Sequence, residues 1–188
     1  FKCISCLQKK ILRKKYFQLR KKKYDEISDE FFSPLINLIK SNFKKKNLRL
    51  ALYYPSNFEL NVLRVLELKY FSDQTILLPV TEKNSLMKFY PWKKNEVLTV
   101  NEFGMLEPLK SKAKIPNVIL VPLLAFDKDK FRLGYGKGYY DRYLTKYIKQ
   151  YKDIMTVGVA FSFQKHNKLP INKNDFKLDF ILTEKGIY

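Results

Sequence analysis

The run RLGYGKGYYDRY at 132–143 puts three of the chain's 6 glycines at alternate positions, Gly134, Gly136 and Gly138. Glycine is used where the backbone must come close to another group or adopt positive φ. Arg132, Lys137 and Arg142 surround these glycines with positive charge, and Asp141 is the one carboxylate among them. The chemistry suggested is the grip of an anion by main-chain N–H groups and cations. A P-loop requires GxxxxGK followed by Ser or Thr, whereas Lys137 is followed by Gly138; the GxGxxG dinucleotide fingerprint is also absent. Alternating glycines alone support phosphate binding only weakly, and a tight structural loop is the preferred reading. Here they follow an apolar run and precede a helical pattern, which favours the anion.

The elements that must position this loop alternate in type. Leu12, Tyr16 and Leu19 recur at helical spacing in KKILRKKYFQLRKKKY, and Lys9, Arg13 and Arg20 fall within about 40° of one another beside that stripe. A solvated lysine-rich face is the alternative reading of the same run. A second helix is expected from Ser28, a buried strand over 48–54, a helix over 58–70 and a strand over 75–79. SLMKFY and EVLTV are expected to pair as a small hairpin, and NEFGMLEP to end in a turn. Further strands are expected over 118–122, 154–160 and 178–183, with a helix starting near Tyr139. Continuous apolar strands alternating with helices predict a three-layer α/β/α fold with a mostly parallel central sheet, in a single domain over 1–188. The glycine loop then lies beyond the carboxyl end of a central strand, where open α/β sheets bind ligands.

Composition bounds the partners. Hydrophobic residues make up 46% of the chain, enough for a packed core, and 37 Lys+Arg against 18 Asp+Glu give +19, a charge that attracts polyanions. An AT-rich coding bias explains a lysine excess equally well. Cys3 and Cys6 form a C-x-x-C that could be half a zinc site or a redox pair, but no second CxxC and only the lone His166 accompany it. An unremarkable terminus is the preferred reading. The longest apolar run, NVILVPLLAF, is too short to span a bilayer, so no membrane association is expected and a reducing cytoplasm is.

The segment VPLLAFDKDKFRLGYGKGYYDRYL at 121–144 resembles the signature of the 5-formyltetrahydrofolate cyclo-ligase (5,10-methenyltetrahydrofolate synthetase) family. KKILR, YYPSNFEL, FGMLEP, AFSFQ and LPINKNDFKLD are similar to that family's other blocks and occur in its order. The resemblance implies ATP- and magnesium-dependent cyclisation of 5-formyltetrahydrofolate, possible also in polyglutamylated form, to 5,10-methenyltetrahydrofolate with release of ADP and phosphate. By the same resemblance Lys9, Lys10 and Arg13, with Arg132, Leu133, Gly134, Tyr135, Gly136, Lys137, Gly138, Tyr139 and Tyr140, would hold ATP. Arg132 and Lys137 would offset charge on the moving phosphoryl group. Asp141 and Asp175 match the family's magnesium positions, and Glu59 its pterin-facing carboxylate. Tyr54, Trp92 and Tyr139 are candidate aromatic walls and Gln164 a further polar contact for the folate; for each aromatic, ordinary core is the competing reading.

Two departures stand at turns: Leu123 and Lys130 occupy positions where the family usually has glycine. A divergent ATP-binding paralogue acting on another folate or pterin, and a basic RNA-binding protein, are the alternatives. Glu59 argues against the first and the lack of any RNP-type or OB-like pattern against the second. A monomer is expected, with nucleic acid disfavoured as a partner.

Overall fold

The computed structural model describes residues 4–43, 48–82 and 86–188. Its centre is a seven-stranded sheet built from β1 (Arg49–Ala51), β2 (Thr75–Glu82), β3 (Leu86–Pro91), β6 (Val118–Pro122), β9 (Met155–Val159), β10 (Phe180–Thr183) and β11 (Gly186–Ile187). Their order is β11-β10-β9-β6-β1-β2-β3. β2, β1, β6, β9 and β10 pair in parallel, and an antiparallel strand closes each edge. The expected mostly parallel sheet is therefore present.

Period-two alternation explains how apolar runs such as VILVP serve two cores. Val118 and Leu120 point to one face and pack with Leu35 and Ile39 of α2 (Ser33–Asn42); Ile119 and Val121 point to the other and pack with Tyr143 and Leu144 of α3 (Tyr139–Tyr147). All five β6 residues are buried, and burying each large apolar side chain stabilises by about 1.5–3 kcal/mol. The cover on both faces gives the three layers. α2 opens on Ser33-Pro34, where proline's fixed φ suits a first turn and its missing N–H costs nothing.

α1 (Ile4–Lys23) lies across the sheet's carboxyl end. Its stripe of Leu12, Tyr16 and Leu19 packs on Leu124, Ala125, Leu133 and Leu169. Leu124 and Leu133 frame a small antiparallel hairpin, β7 (Ala125–Phe126) with β8 (Arg132–Leu133). Its turn is organised by the buried Asp127, whose Oδ1 accepts from the N–H groups of Asp129 and Phe131 and whose Oδ2 accepts from Leu169 N.

Three expectations need correction, the first being that NEFGMLEP, expected to end in a turn, turns at 102–104 and ends in a strand, Leu106–Pro108. The segment 58–70 is not an α-helix but two 3₁₀ turns, Val62–Glu67 and Lys69–Phe71. Val62 and Val65, three apart, are both fully buried, which suits a three-residue turn, and Asn61 starts it by accepting from Leu63 N. SLMKFY does not pair with EVLTV. β3 turns back on β2 instead, while β4 (Leu98–Val100) pairs with β5 (Leu106–Pro108) around a tip that Asn101 Oδ1 holds by accepting from Phe103 N and Met105 N.

Both departures noted in the sequence have a place here. Leu123 is buried, and one of its methyls fills the space beside the hydrogen-only face of Gly158. Lys130 has φ 67°, in the left-handed region that a glycine would occupy without strain. Replacing Lys130 by glycine should raise unfolding free energy by about 1 kcal/mol, measured by urea titration; an unchanged or lower midpoint would contradict the strain assigned to this turn.

Candidate active site

Beyond the carboxyl ends of β1, β2 and β6 lies a cleft of about 1100 Å³. Four pieces of chain meet there: the basic edge of α1, the segment 53–59, the loop from β8 into α3, and 172–175. The β4–β5 hairpin contributes Phe103, Met105 and Glu107 from a further side.

The glycines are explained by what sits on them. A Cβ at Gly134 would lie 2.5 Å from Arg132 Nη1, and one at Gly136 would lie 3.2 Å from the guanidinium carbon of Arg13. Gly138, with φ 71°, turns the chain into the first residue of α3, and a Cβ there would come within 2.8 Å of Arg142 Nη1. The absence of side chains thus lets three guanidinium groups lie against the backbone. Arg13 Nε donates to Gly134 O at 2.8 Å, and Arg142 Nη2 donates to Lys137 O at 2.7 Å.

The basic edge of α1 is not a solvated face. Lys9 and Arg20 are buried, whereas Lys10, Lys14 and Lys15 on the other faces are exposed. Arg20 donates to Leu123 O at 3.3 Å and to Asn57 O at 2.7 Å, and its guanidinium lies 5.5 Å from the ring centre of Tyr135. Asn57 and Phe58 both take positive φ, 50° and 61°, and this tight bend delivers Glu59 into the cleft. Glu59 Oε1 accepts from the Tyr135 hydroxyl at 2.6 Å; its Oε2 accepts from Ser56 N at 2.8 Å and from Ser56 Oγ at 3.3 Å. Burial raises the Glu59 carboxyl above its ordinary range, and the donors from Tyr135 and Ser56 with the charge of Arg20 pull it back part of the way. Burial likewise raises the Tyr135 and Tyr140 hydroxyls, with Glu59 adding to both. These phenols are neutral donors at physiological pH.

Both carboxylates matching magnesium positions are ion-paired. Asp141 Oδ2 meets Arg132 Nη2 at 3.0 Å, and Asp175 Oδ2 meets Lys9 Nζ. The two lie in one neighbourhood, because Phe176 N, next to Asp175, donates to Asp141 Oδ1 at 3.3 Å. Among the described residues no cluster of three or more His, Cys, Asp or Glu could hold a metal alone. Two hard oxygen donors set among phosphate-type cations fit a magnesium ion that takes the rest of its shell from phosphate and water.

Of the residues expected at the site, Lys9, Arg13, Tyr54, Glu59, Arg132 through Tyr140, Asp141 and Asp175 all line the cleft, while Lys10, Trp92 and Gln164 do not. Trp92 is core: it packs in the layer of α2 and donates its indole N–H to Glu96 O at 3.2 Å. The Gln164 amide is occupied by backbone, donating to Leu123 O and Leu124 O and accepting from Phe161 N. Lys10 faces away on α1 and is exposed. Lys137 is exposed, with its ammonium 4.5 Å from the ring centre of Phe103. Cys6 is exposed at the cleft, Cys3 lies outside the described residues, and His166 sits away from the cleft with Nδ1 2.9 Å from the Tyr16 hydroxyl. Arg20 and Glu107 were not singled out for the site by sequence reading. The 40° spacing holds the signal for Arg20, which is buried behind the cleft's lining, and Glu107 lies within the FGMLEP block, whose resemblance gives it no role.

Fold and cleft together define an α/β protein of the kind that receives an anionic ligand beyond the carboxyl ends of parallel strands. Within that class the chain belongs to the 5-formyltetrahydrofolate cyclo-ligase family, whose profile matches residues 7–184. It is 31% identical over 156 residues to the 5-formyltetrahydrofolate cyclo-ligase of Haemophilus influenzae, covering 79% of this chain and 80% of the relative. It is 29% identical over 157 residues to a probable 5-formyltetrahydrofolate cyclo-ligase of Schizosaccharomyces pombe, covering 76% of each. The 5,10-methenyltetrahydrofolate synthetase structure from Aquifex aeolicus superposes with TM-score 0.70 at 31% identity, over 95% of this chain and 91% of that one. No helix among the described residues is long and apolar enough to cross a membrane.

The raised Glu59 carboxyl fixes the sign of a pH effect. Because its folded pKa lies above the ordinary 4.5, its contribution is fully present below that value and is lost as pH rises through the folded pKa. The stability of the wild-type chain relative to Glu59→Gln should therefore fall on going upward from pH 4.5, measured by urea unfolding at a series of pH values. A difference that grew with pH would contradict burial as the dominant cause.

Proposed function

We propose that this cleft binds ATP and 5-formyltetrahydrofolate side by side and carries out the ATP-dependent cyclisation that yields 5,10-methenyltetrahydrofolate, ADP and phosphate. The observation that carries the reading is the glycine bend wrapped by Arg13, Arg132 and Arg142 at the strand ends, within reach of a buried carboxylate, Glu59, that no cation among the described residues pairs directly. The bend supplies N–H groups and charge for phosphate; Glu59 supplies acceptors for the amino-pyrimidinone edge of a pterin.

In this reaction the γ-phosphoryl group passes to the formyl oxygen, N10 closes on the formyl carbon, and phosphate leaves. Phosphoryl transfer asks the protein mainly for alignment and charge neutralisation. Arg132, which reaches toward Pro122 O at the end of β6 and pairs with Asp141 of α3, and Lys137, poised at the tip of the bend, neutralise oxygens of the transferring group. Lys9 and Arg13 hold the remaining phosphates from α1, and backbone N–H groups of 133–140 complete the grip. Tyr54 and Tyr139 flank the folate. Asp141 and Asp175 would hold a magnesium ion, which when bound would supply further neutralisation of phosphate charge. Two lysines that line the cleft, Lys146 in the last turn of α3 and Lys149 just beyond it, suit acceptance of additional glutamates on the folate tail. The reading takes residues 1–188 as one such domain, acting as a monomer in the cytoplasm.

An absorbance assay for methenyltetrahydrofolate should show product only when ATP and magnesium are both present. Lys137→Ala and Asp141→Asn should each lower kcat by roughly 10²-fold; Lys137→Ala, at an exposed side chain, should leave the unfolding midpoint close to wild type, whereas Asp141→Asn, which unpairs the buried Arg132, should lower it. Glu59→Gln should raise the folate KM several-fold more than the ATP KM. Unchanged kinetics in both loop variants, or a Glu59 effect confined to ATP, would overturn these assignments.

A further inference from the structure

Four carboxylates line the cleft: Glu59, Glu107, Asp141 and Asp175. Three are engaged. Asp141 and Asp175 face Arg132 and Lys9, and both oxygens of Glu59 accept from Tyr135 and Ser56. Glu107, on β5 and 8% exposed, differs. Its Oε1 alone accepts from Thr81 N at 2.7 Å, Thr81 Oγ1 at 2.8 Å and Asn101 Nδ2 at 2.8 Å. No described residue donates to its Oε2. The same Asn101 holds the hairpin tip through its carbonyl oxygen, so this carboxylate is fixed in place with one oxygen committed to the scaffold and the other left for a ligand.

We propose that Glu107 is a catalytic residue whose free oxygen accepts the proton that N10 loses as the folate ring closes. The assignment rests on the cyclisation reading above. When the N10 lone pair bonds to the activated formyl carbon, the carbon–oxygen bond to phosphate breaks and phosphate leaves with that electron pair. N10 must then shed its hydrogen, and the product keeps a positive charge shared over N5, the bridging carbon and N10. The proton passes to Glu107 and from there to solvent or the departing phosphate. In a cleft crowded with arginine and lysine, a fixed carboxylate also offsets the new cation. No histidine among the lining residues offers an alternative.

A purely structural role, tying the hairpin to β2, is separable from this one. Glu107→Gln keeps a carbonyl oxygen for Thr81 and Asn101 and removes the base. The experiment measures ADP and methenyltetrahydrofolate formed by wild type, Glu107→Gln and Glu107→Asp, with urea midpoints for each. Methenyl formation by Glu107→Gln should fall roughly 10²-fold. ADP formation should fall much less, because the activated formyl group reverts by hydrolysis, so the ADP-to-product ratio rises well above one. Glu107→Asp, which keeps a carboxylate, should bring the ratio back toward one. An equal fall in ADP and product, or no fall, in Glu107→Gln would overturn the proposal, as would a raised ratio in Glu107→Asp equal to that of Glu107→Gln. Should Glu107→Gln not fold, a wild-type ratio near one and an unchanged product rate in Glu107→Asp would also count against it, since a shortened base must slow ring closure. A wild-type enzyme that forms no methenyl product would instead remove the cyclisation reading itself.

Discussion

Guanidinium groups taken out of water must find oxygen acceptors, and in this protein the acceptors are the carbonyls at the carboxyl end of the sheet. Arg20 donates to Leu123 O, Arg132 reaches toward Pro122 O, and Arg13 donates to Gly134 O. Arg20 fastens α1 to the turn after β6, Arg132 draws the glycine bend to the end of β6, and Arg13 ties α1 to the glycine bend. The flat, rigid fork of arginine suits this task better than an ammonium would, because it can serve a carbonyl on one edge and leave another edge toward the cleft. Isolated buried charge is costly. The partial satisfaction by carbonyls keeps the cations in place while leaving the cleft positive, so an entering anion completes an arrangement that already exists.

The carboxylates complement that design. Asp141 on Arg132 and Asp175 on Lys9 are counter-ions whose geometry a phosphate can take over, since its oxygens present the same paired acceptors to a guanidinium. On the proposed reading, a carboxylate released in that exchange would become available to a cation carried with the phosphate. Glu59 and Glu107 are held differently, by neutral donors from hydroxyl, amide and backbone groups, and so keep their place whatever happens to the cations. Carboxylates paired with cations thus lie beside the glycine bend and in 172–175, and carboxylates held by neutral donors lie on 53–59 and β5.

Much of this was legible in the chain because the signals are local. Continuous apolar strands report cover on both faces, and the spacing of Lys9, Arg13 and Arg20 reports one helix edge, although only the fold shows that the edge is buried. Glycines at 134, 136 and 138 report close approach without saying to what. The misread parts depend on partners far along the chain. A four- to six-residue apolar strand pairs equally well with several others, so nothing in SLMKFY distinguishes β2 from β4 as its neighbour. Val62 and Val65 fit an α-helical stripe as well as a 3₁₀ turn until burial selects the tighter winding. Trp92 as an aromatic wall and Gln164 as a polar contact are readings of residue type alone, which does not reveal that their polar atoms are taken by backbone carbonyls of the turn at 123–124 and of Glu96.

Net charge illustrates why burial carries more information than composition. A value of +19 attracts any polyanion, and the exposed lysines of α1 contribute to that general attraction as readily as any surface lysine. A flat polymer surface would call on those exposed groups. Lys9 and Arg132 are recessed in the lining of the cleft, and only a ligand small enough to enter it can meet them, while Arg20 is buried behind that lining. One helix thus carries both kinds of cation, separated by its own periodicity: the outward faces set solubility and long-range attraction, and the inward edge, held by carbonyls and carboxylates, sets what can be bound once attraction has done its part.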